Sequence, residues 1–238
     1  SDLGIYHVLR QLAAKPAQAI QPIISKVCLP AFAKFKESKD TLHKLFKDFY
    51  AIQAFILSFI YTPLIINSDT VITLLFGSAY SEYSFVFSFL SLFWFIRITN
   101  SSLIGPLVQS LGITKRNFLW NLYMLLPNSA VIFISSKFSI LSLVIALSVY
   151  QALLFPLINL YFIRYATNVT FAQSVKILTF SFLIFALPLL TFEYFTKEYV
   201  PNSFFAREIC IAIISFITLS IAYKASDVRK RLNRLKEI

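Results

Sequence analysis

Charged side chains are scarce in this sequence. Only 14% of the 238 residues are Asp, Glu, Lys or Arg, whereas 58% are apolar and 17% are aromatic. Soluble domains have roughly a quarter of their residues charged, and one of this size could not bury so much apolar surface. Disordered chains are poor in aromatic residues. The composition therefore excludes both classes and indicates an integral membrane protein.

Residues that bind metals or form phosphate-binding loops are also few. Cys28 and Cys210 lie far apart within apolar runs, and His7 and His43 are isolated, so no zinc site or redox pair is predicted. With four glycines, the chain has no Gly-rich phosphate loop and no nucleophile elbow. Paired carboxylates deep in an apolar run, the mark of many acid–base enzymes, are missing too. We therefore expect a protein that is not an enzyme and needs no cofactor.

Long apolar runs are what the sequence has instead. About 20 mainly apolar residues cross a bilayer as a helix, and a helix satisfies its own backbone hydrogen bonds there. The alternating ten-residue segments of a membrane β-barrel are missing. We predict an all-α integral membrane protein, with a transmembrane lobe at 1–224 and a basic cytoplasmic tail at 225–238. The seven predicted spans are residues 3–32, 46–66, 84–111, 118–135, 140–163, 171–192 and 204–223.

The basic residues are distributed unevenly between these spans. The net charge of +11 comes from basic residues that lie mostly between the apolar runs. It therefore indicates orientation in a membrane rather than nucleic-acid binding. Fifteen Lys and Arg residues fall on alternate connections and the tail, against three on the other connections. Because cytoplasmic connections carry the excess of Lys and Arg, we predict a cytoplasmic C-terminus. An odd number of spans then places Ser1 outside, so we expect this chain to be the C-terminal half of a longer protein.

Four basic residues remain once those assigned to the connections and the tail are counted, namely Arg10, Lys15, Lys26 and Arg97. Each costs about 2.5–3.5 kcal/mol at a helix centre, so it needs either a use or a route to the headgroups. We predict that these residues, together with Asn100, line a cationic, water-filled cavity that binds a phosphate or pyrophosphate. Snorkelling to the headgroups stays open for Arg10 and Lys26, which lie nearer to the ends of their span.

Amide side chains are also present within the spans. Such amides either bind the hydroxyls of a sugar or form hydrogen bonds between helices, and each bond between helices contributes about 0.6–2 kcal/mol. We expect the second role for most of them. The set is Gln18, Gln21, Asn100, Gln109, Asn121, Asn128, Gln151 and Asn159.

Short patterns in the first 118 residues resemble those of a family of bacterial membrane proteins. The patterns are LGIY at 3–6, QPIISKV at 21–27, PAFAK at 30–34, LLFG at 74–77 and LGITKR at 111–116. They resemble the C-terminal half of Wzx-type exporters of lipid-linked oligosaccharides, polysaccharide biosynthesis proteins of the multidrug/oligosaccharidyl-lipid/polysaccharide (MOP) superfamily.

The resemblance implies a two-lobed helix bundle that works by alternating access around a cationic cavity, with this chain as one lobe. It implies a flippase of the bacterial inner membrane that moves undecaprenyl-pyrophosphate-linked oligosaccharide for surface polysaccharide such as the O-antigen of lipopolysaccharide. The partners would be this lipid-linked oligosaccharide, membrane lipids, the missing N-terminal lobe and polysaccharide assembly proteins, without nucleic acid. Two alternatives stay open, a cation-coupled multidrug exporter of the same superfamily and a non-transporting scaffold of envelope assembly.

Overall fold

The chain folds into helices. The computed structural model describes residues 2–199, 213–215, 217–220 and 228–236, and every regular element within these ranges is helical. The elements in chain order are α1 (Asp2–Lys34), α2 (Lys39–Ile66), α3 (Ser68–Phe76), a 3-10 helix (Ser78–Tyr83), α4 (Ser84–Ser101), α5 (Ile104–Leu111), α6 (Thr114–Ser135), α7 (Ile140–Ile158), a π turn (Asn159–Ile163), α8 (Arg164–Thr167), α9 (Phe171–Tyr199) and α10 (Val228–Lys236).

The predicted class is confirmed for the described residues, which form helices and no strands and suit a multi-pass membrane protein. Five helical stretches within the described ranges are long and apolar enough to cross a membrane: Lys39–Ile66, Ser78–Leu111, Thr114–Ser135, Ile140–Thr167 and Phe171–Tyr194. The predicted first span is helical as α1, but it is not among these five. The predicted seventh span, 204–223, lies mostly outside the described residues. The count of seven therefore stays a prediction.

Helix α1 continues through three prolines, Pro16, Pro22 and Pro30. Proline has no N–H, so each one removes a hydrogen bond of the helix. Tyr61 of α2 donates its hydroxyl hydrogen bond to the carbonyl oxygen of Ala13 at 3.0 Å, and the tyrosine is completely buried. This bond fixes α2 against α1 just before the first proline.

Helix α2 packs mainly against α9, and the two run parallel with their N-terminal ends together. At that end, the ring nitrogen Nδ1 of His43 lies 2.8 Å from the carbonyl oxygen of Thr167. About three turns further along α2, the rings of Phe55 and Phe185 meet edge to face, with centroids 5.2 Å apart. The N-terminal ends of the second and sixth predicted spans therefore lie at the same end of the bundle.

The predicted third span, 84–111, is divided into α4 and α5. Carbonyl oxygens in the last turn of a helix have few helical partners, and that of Ile98 accepts from the N–H of Ser102 at 3.0 Å. Here the side-chain amide nitrogen of Gln53 donates to the carbonyl oxygens of Ile98 at 3.1 Å and Thr99 at 3.3 Å. Gln53 is buried, so α2 supplies hydrogen bonds where the bilayer would offer none.

Helices α6 and α7 form a tight hairpin, joined by residues 136–139. Ser139 caps α7, because its hydroxyl accepts a hydrogen bond from the backbone N–H of Ser142 at 3.0 Å. The helix then continues through the π turn into α8, four residues beyond the predicted end. It stops at Asn168, whose φ of 58° is left-handed and whose N–H donates to the carbonyl oxygen of Arg164 at 3.1 Å.

The basic connections gather at one end of the bundle. Arg116 lies 4.1 Å from the ring centroids of both Tyr161 and Tyr165, and its Nε donates to the carbonyl oxygen of Tyr161 at 2.8 Å. A single core cluster joins this region to the C-terminal part of α1 and the N-terminal part of α2, through residues such as Phe32 and Phe46. Lys and Arg residues on alternate connections therefore share one end, the basic end, as the charge pattern predicts; its cytoplasmic location stays a prediction.

The predicted basic tail contains a helix, α10, that folds back onto α2. Val228 is buried beside Phe55 and Phe185. Arg231 and Arg234 both reach the carboxylate of Asp48, at 2.6 and 3.0 Å. A carboxylate as buried as Asp48 is stable only when it is paired. We did not predict this contact from the sequence, and the available signal was an acidic residue inside the predicted span 46–66.

Candidate ligand-binding cavity

A cavity of about 520 Å³ lies between α1, α4, α6 and α7. Two of the four intramembrane cations, Arg10 of α1 and Arg97 of α4, line it together. Three amides line it as well, Asn121 and Asn128 of α6 and Gln151 of α7. The cavity therefore combines fixed positive charge with groups that both donate and accept hydrogen bonds.

Aromatic rings on α4 support the guanidinium group of Arg97. Its Cζ lies 5.2 Å from the ring centroid of Trp94 and 5.7 Å from that of Phe93. These rings precede Arg97 by three and four residues, and a long helical side chain leans towards that preceding turn. The contact is a cation–π interaction, which holds the side chain without neutralising its charge.

Arg10 and Arg97 line the same cavity, so their like charges repel each other. Neither forms an ion pair with any residue in the part of the chain that the structure describes. Both residues are exposed, and two like charges close together raise the electrostatic energy of the empty cavity. An anion placed between the two guanidinium groups would remove that repulsion.

The amides divide into two groups. Asn159, in the π turn, donates from Nδ2 to the hydroxyl of Ser174 at 3.1 Å and so links two helices. Within the described residues it alone of the eight amides does so, and the expectation of such bonds for most of the set is not met. The cavity amide Asn121 instead donates to the carbonyl oxygen of Asn117 on its own helix, at 3.0 Å. The carbonyl oxygen of the Asn121 side chain is left for a ligand in the cavity.

The other predicted site residues are not brought to this cavity. Lys15 and Lys26 are exposed on α1 and do not line it, because they share a helical face that differs from the face of Arg10. Asn100 is 2% exposed, and neither atom of its amide has a hydrogen-bond partner within the described ranges. The structure therefore unites Arg10 with Arg97 and leaves the other three residues apart.

A larger cavity, of about 670 Å³, lies between α1, α2 and α10. Its lining is almost entirely apolar, with residues such as Ile24, Val27 and Phe49, and Gln53 and Lys34 are its polar members. Nothing in that lining could bind the several polar groups of a charged sugar compound. We therefore assign the candidate site by its chemistry, to the smaller cavity with the two arginines.

Comparison with known proteins gives two similarities. Residues 1–85 match a family described as polysaccharide biosynthesis protein. The chain is also similar to the amylovoran biosynthesis protein AmsL of Erwinia amylovora, with 28% identity over 120 residues, 50% of this chain and 30% of that protein. The match therefore spans less than a third of the length of this curated relative. No solved structure matches the chain.

The family match covers only part of the candidate cavity. It contains α1 with Arg10 and all of α2, and it ends at residue 85, before Arg97. Both similarities concern polysaccharide biosynthesis. The N-terminal third of the chain is therefore similar to polysaccharide biosynthesis proteins, and the remaining helices contribute Arg97 and the cavity amides.

Proposed function

We propose that this chain is one lobe of a Wzx-type flippase of the MOP superfamily. It moves an undecaprenyl-pyrophosphate-linked oligosaccharide from the cytoplasmic to the outer leaflet of the bacterial inner membrane, and it transports without catalysing a reaction. The observation that carries the proposal is the cavity shared by Arg10 and Arg97, in a multi-pass membrane protein. The similarity of residues 1–85 to polysaccharide biosynthesis proteins supports the class of cargo.

In this proposal, Arg10 and Arg97 bind the pyrophosphate. A hydrogen bond to a charged group contributes about 1.5–3 kcal/mol, so a few such contacts hold the headgroup without preventing its release. The amides of Asn121, Asn128 and Gln151 lie in the same cavity and hydrogen-bond the sugar hydroxyls. The hydrocarbon chain stays in the bilayer, because its burial there needs no protein contact.

One side of the cavity, between α1 and α6, lacks closely packed helices. Helix α1 contacts α4, α4 contacts α7 and α7 contacts α6, whereas α6 and α1 have little or no packing against each other. The outer surface of α6 is apolar and exposed, with Tyr123 at 63% and Leu126 at 78%. We propose that the N-terminal lobe closes the side between α1 and α6, and that alternating access changes this closure.

The two alternatives are less well supported by the positions of the charges. A cation-coupled exporter needs a titratable carboxylate in the membrane. Asp48 is the buried carboxylate within the described ranges, and it forms ion pairs with two arginines of α10. A scaffold would keep its intramembrane cations at the headgroups, whereas Arg10 and Arg97 share a cavity.

The test is export by cells that depend on the full-length protein carrying Arg10→Gln or Arg97→Gln. We expect surface polysaccharide to fall about tenfold or more, since each change removes a charged contact, and the lipid-linked precursor to accumulate. Arg97→Lys should retain part of the activity, because it keeps the charge but loses the planar fork.

Lys137→Gln is the matched control, because Lys137 is an exposed cation in the α6–α7 turn and does not line the cavity. Lys15→Gln and Lys26→Gln should reduce export less than the cavity variants do. Full export by both arginine variants, at normal abundance in the membrane, would contradict the proposed binding of the pyrophosphate.

A further inference from the structure

A second polar pocket, of about 540 Å³, lies between α2, α9 and α10 at the basic end of the bundle. Three cations from three different helices line it: Lys47 of α2, Lys176 of α9 and Arg231 of α10. The cavity of Arg10 and Arg97 lies between other helices, so the two sites share no lining residue.

The pocket is polar at one end and apolar at the other. On α2, Lys47 is followed at intervals of four residues by Ala51 and Phe55, which places all three on one face of the helix. The last of these lies about 12 Å further along the helix axis than the first, at 1.5 Å per residue. The pocket therefore leads from a charged opening to an apolar floor.

Helix α9 repeats the same order of side chains. Gln173 and Lys176 line the pocket near the start of the helix, and Ile177, Phe180 and Ile184 line it further along. Their intervals of three and four residues keep them on one helical face. Because α2 and α9 run parallel from the basic end, their charged positions lie level with each other, and so do their apolar positions.

The third cation is held in place by the contact between α10 and α2. Arg231 donates from Nη1 to Asp48 at 2.6 Å and to the carbonyl oxygen of Lys47 at 3.4 Å. Arg234 also pairs with Asp48. Lys47 and Lys176 have no carboxylate partner in the part of the chain that the structure describes. The opening therefore keeps a net positive charge after Asp48 is counted.

We propose that this pocket binds an anionic phospholipid of the leaflet at the basic end. The phosphate lies among Lys47, Lys176 and Arg231, and one acyl chain extends along Phe55 and Ile184. A basic pocket between membrane-spanning helices suits the headgroup of an anionic lipid, and the apolar floor suits the chain attached to it. This site is separate from the proposed transport cavity and does not depend on it.

The experiment measures lipid binding to the purified full chain in detergent. The number of bound phosphatidylglycerol molecules and their dissociation constant are obtained by native mass spectrometry, with phosphatidylcholine as the zwitterionic comparison. The test variant is Lys47→Gln with Lys176→Gln. The control is Lys44→Gln with Lys115→Gln, which removes two exposed lysines from the basic end but outside the pocket.

We expect the test variant to bind phosphatidylglycerol about tenfold more weakly or worse, since each nearby cation contributes about 1 kcal/mol. The control should stay within about twofold of the unaltered chain, and phosphatidylcholine should bind weakly to all three proteins. Equal losses in the test and control variants would overturn the proposal, because they would mean a diffuse attraction to the whole basic end.

Two further arms identify the source of the phosphate. Inorganic phosphate should fail to displace phosphatidylglycerol, and displacement at millimolar concentration would overturn the lipid assignment in favour of a free anion. A polyprenyl phosphate should bind no tighter than phosphatidylglycerol, and preferential binding would assign the pocket to the transported class of lipid instead. Phe180→Ser, at a side chain that is 60% exposed, should weaken phosphatidylglycerol binding without unfolding the protein.

Discussion

The guanidinium Nη1 of Arg231 lies 2.6 Å from Oδ1 of Asp48, although 183 residues separate them in the sequence. Asp48 is 8% exposed at its side chain and Arg231 is 17% exposed, so both charges are largely removed from solvent. Arg234, which is more exposed, also forms an ion pair with Asp48. The contact fixes α10 to the basic end of α2, between the apolar cavity and the proposed lipid pocket.

The first prediction concerns Asp48→Asn. Loss of the carboxylate leaves Arg231 poorly solvated and without a counterion, so we expect the free energy of unfolding to fall by roughly 2 kcal/mol. Helix α10 should separate from α2, and trypsin should cleave at Lys230 and Arg231 faster under native conditions. The measurements are thermal unfolding in detergent and the rate of limited proteolysis.

Glu37→Gln is the control for Asp48→Asn, because Glu37 is an exposed acid just before α2. It should leave both the unfolding temperature and the cleavage rate unchanged. Unchanged cleavage in Asp48→Asn would show that the apolar contacts of Val228 alone hold α10 in place.

The second prediction concerns Asn100→Leu. The buried amide of Asn100 has no hydrogen-bond partner in the described ranges, and such a group costs about 1–3 kcal/mol. We expect the leucine variant to unfold at the same temperature or higher, and to export polysaccharide normally, because Asn100 does not line the cavity.

Gln53→Leu is the matched change, since it also replaces a buried amide but removes two hydrogen bonds to α4. It should lower the free energy of unfolding by about 2 kcal/mol. A large loss of export in Asn100→Leu, at normal stability, would restore Asn100 to the ligand-binding site that its sequence position predicts.

The third prediction concerns orientation in the membrane. Glu37 and Ala172 lie at the basic end, and Ser136 lies in the turn between α6 and α7; all three are exposed. In a chain carrying Cys28→Ser and Cys210→Ser, a membrane-impermeant maleimide should label Glu37→Cys and Ala172→Cys only from the cytoplasmic side. Ser136→Cys should be labelled only from the outside.

The same-side labelling of Glu37→Cys and Ala172→Cys follows from the bundle itself, because α2 and α9 begin together. Labelling of these two positions from opposite sides would therefore contradict the fold. Labelling of both from outside would contradict only the predicted orientation.

Helix positions could be predicted because length and apolar composition are local properties. The predicted spans 46–66, 118–135 and 171–192 all lie within observed helices. The division of 84–111 into α4 and α5 was not predicted, although it follows the polar run 99–102 and precedes Gly105 and Pro106. Its stabilising partner, Gln53, comes from another helix, and a single run of sequence does not show which helices are neighbours.

The cations of the candidate cavity could be found from the sequence, but their grouping could not. A basic residue in an apolar run is conspicuous wherever it lies, which is why Arg10 and Arg97 were identified. Their meeting depends on the packing of α1 against α4. The pairing of Asp48 with the tail depends in the same way on contacts between distant segments.

Helix α6 packs mainly against α7, and much of its remaining surface is exposed. A helix held on one flank can tilt about the short 136–139 turn with little loss of packing, whereas α2 cannot, because several helices surround it. The width of the cavity that is available to a bulky headgroup is therefore set by whatever contacts the outer surface of α6. The same chain should show a different spacing between α1 and α6 in detergent micelles than under the lateral pressure of a bilayer.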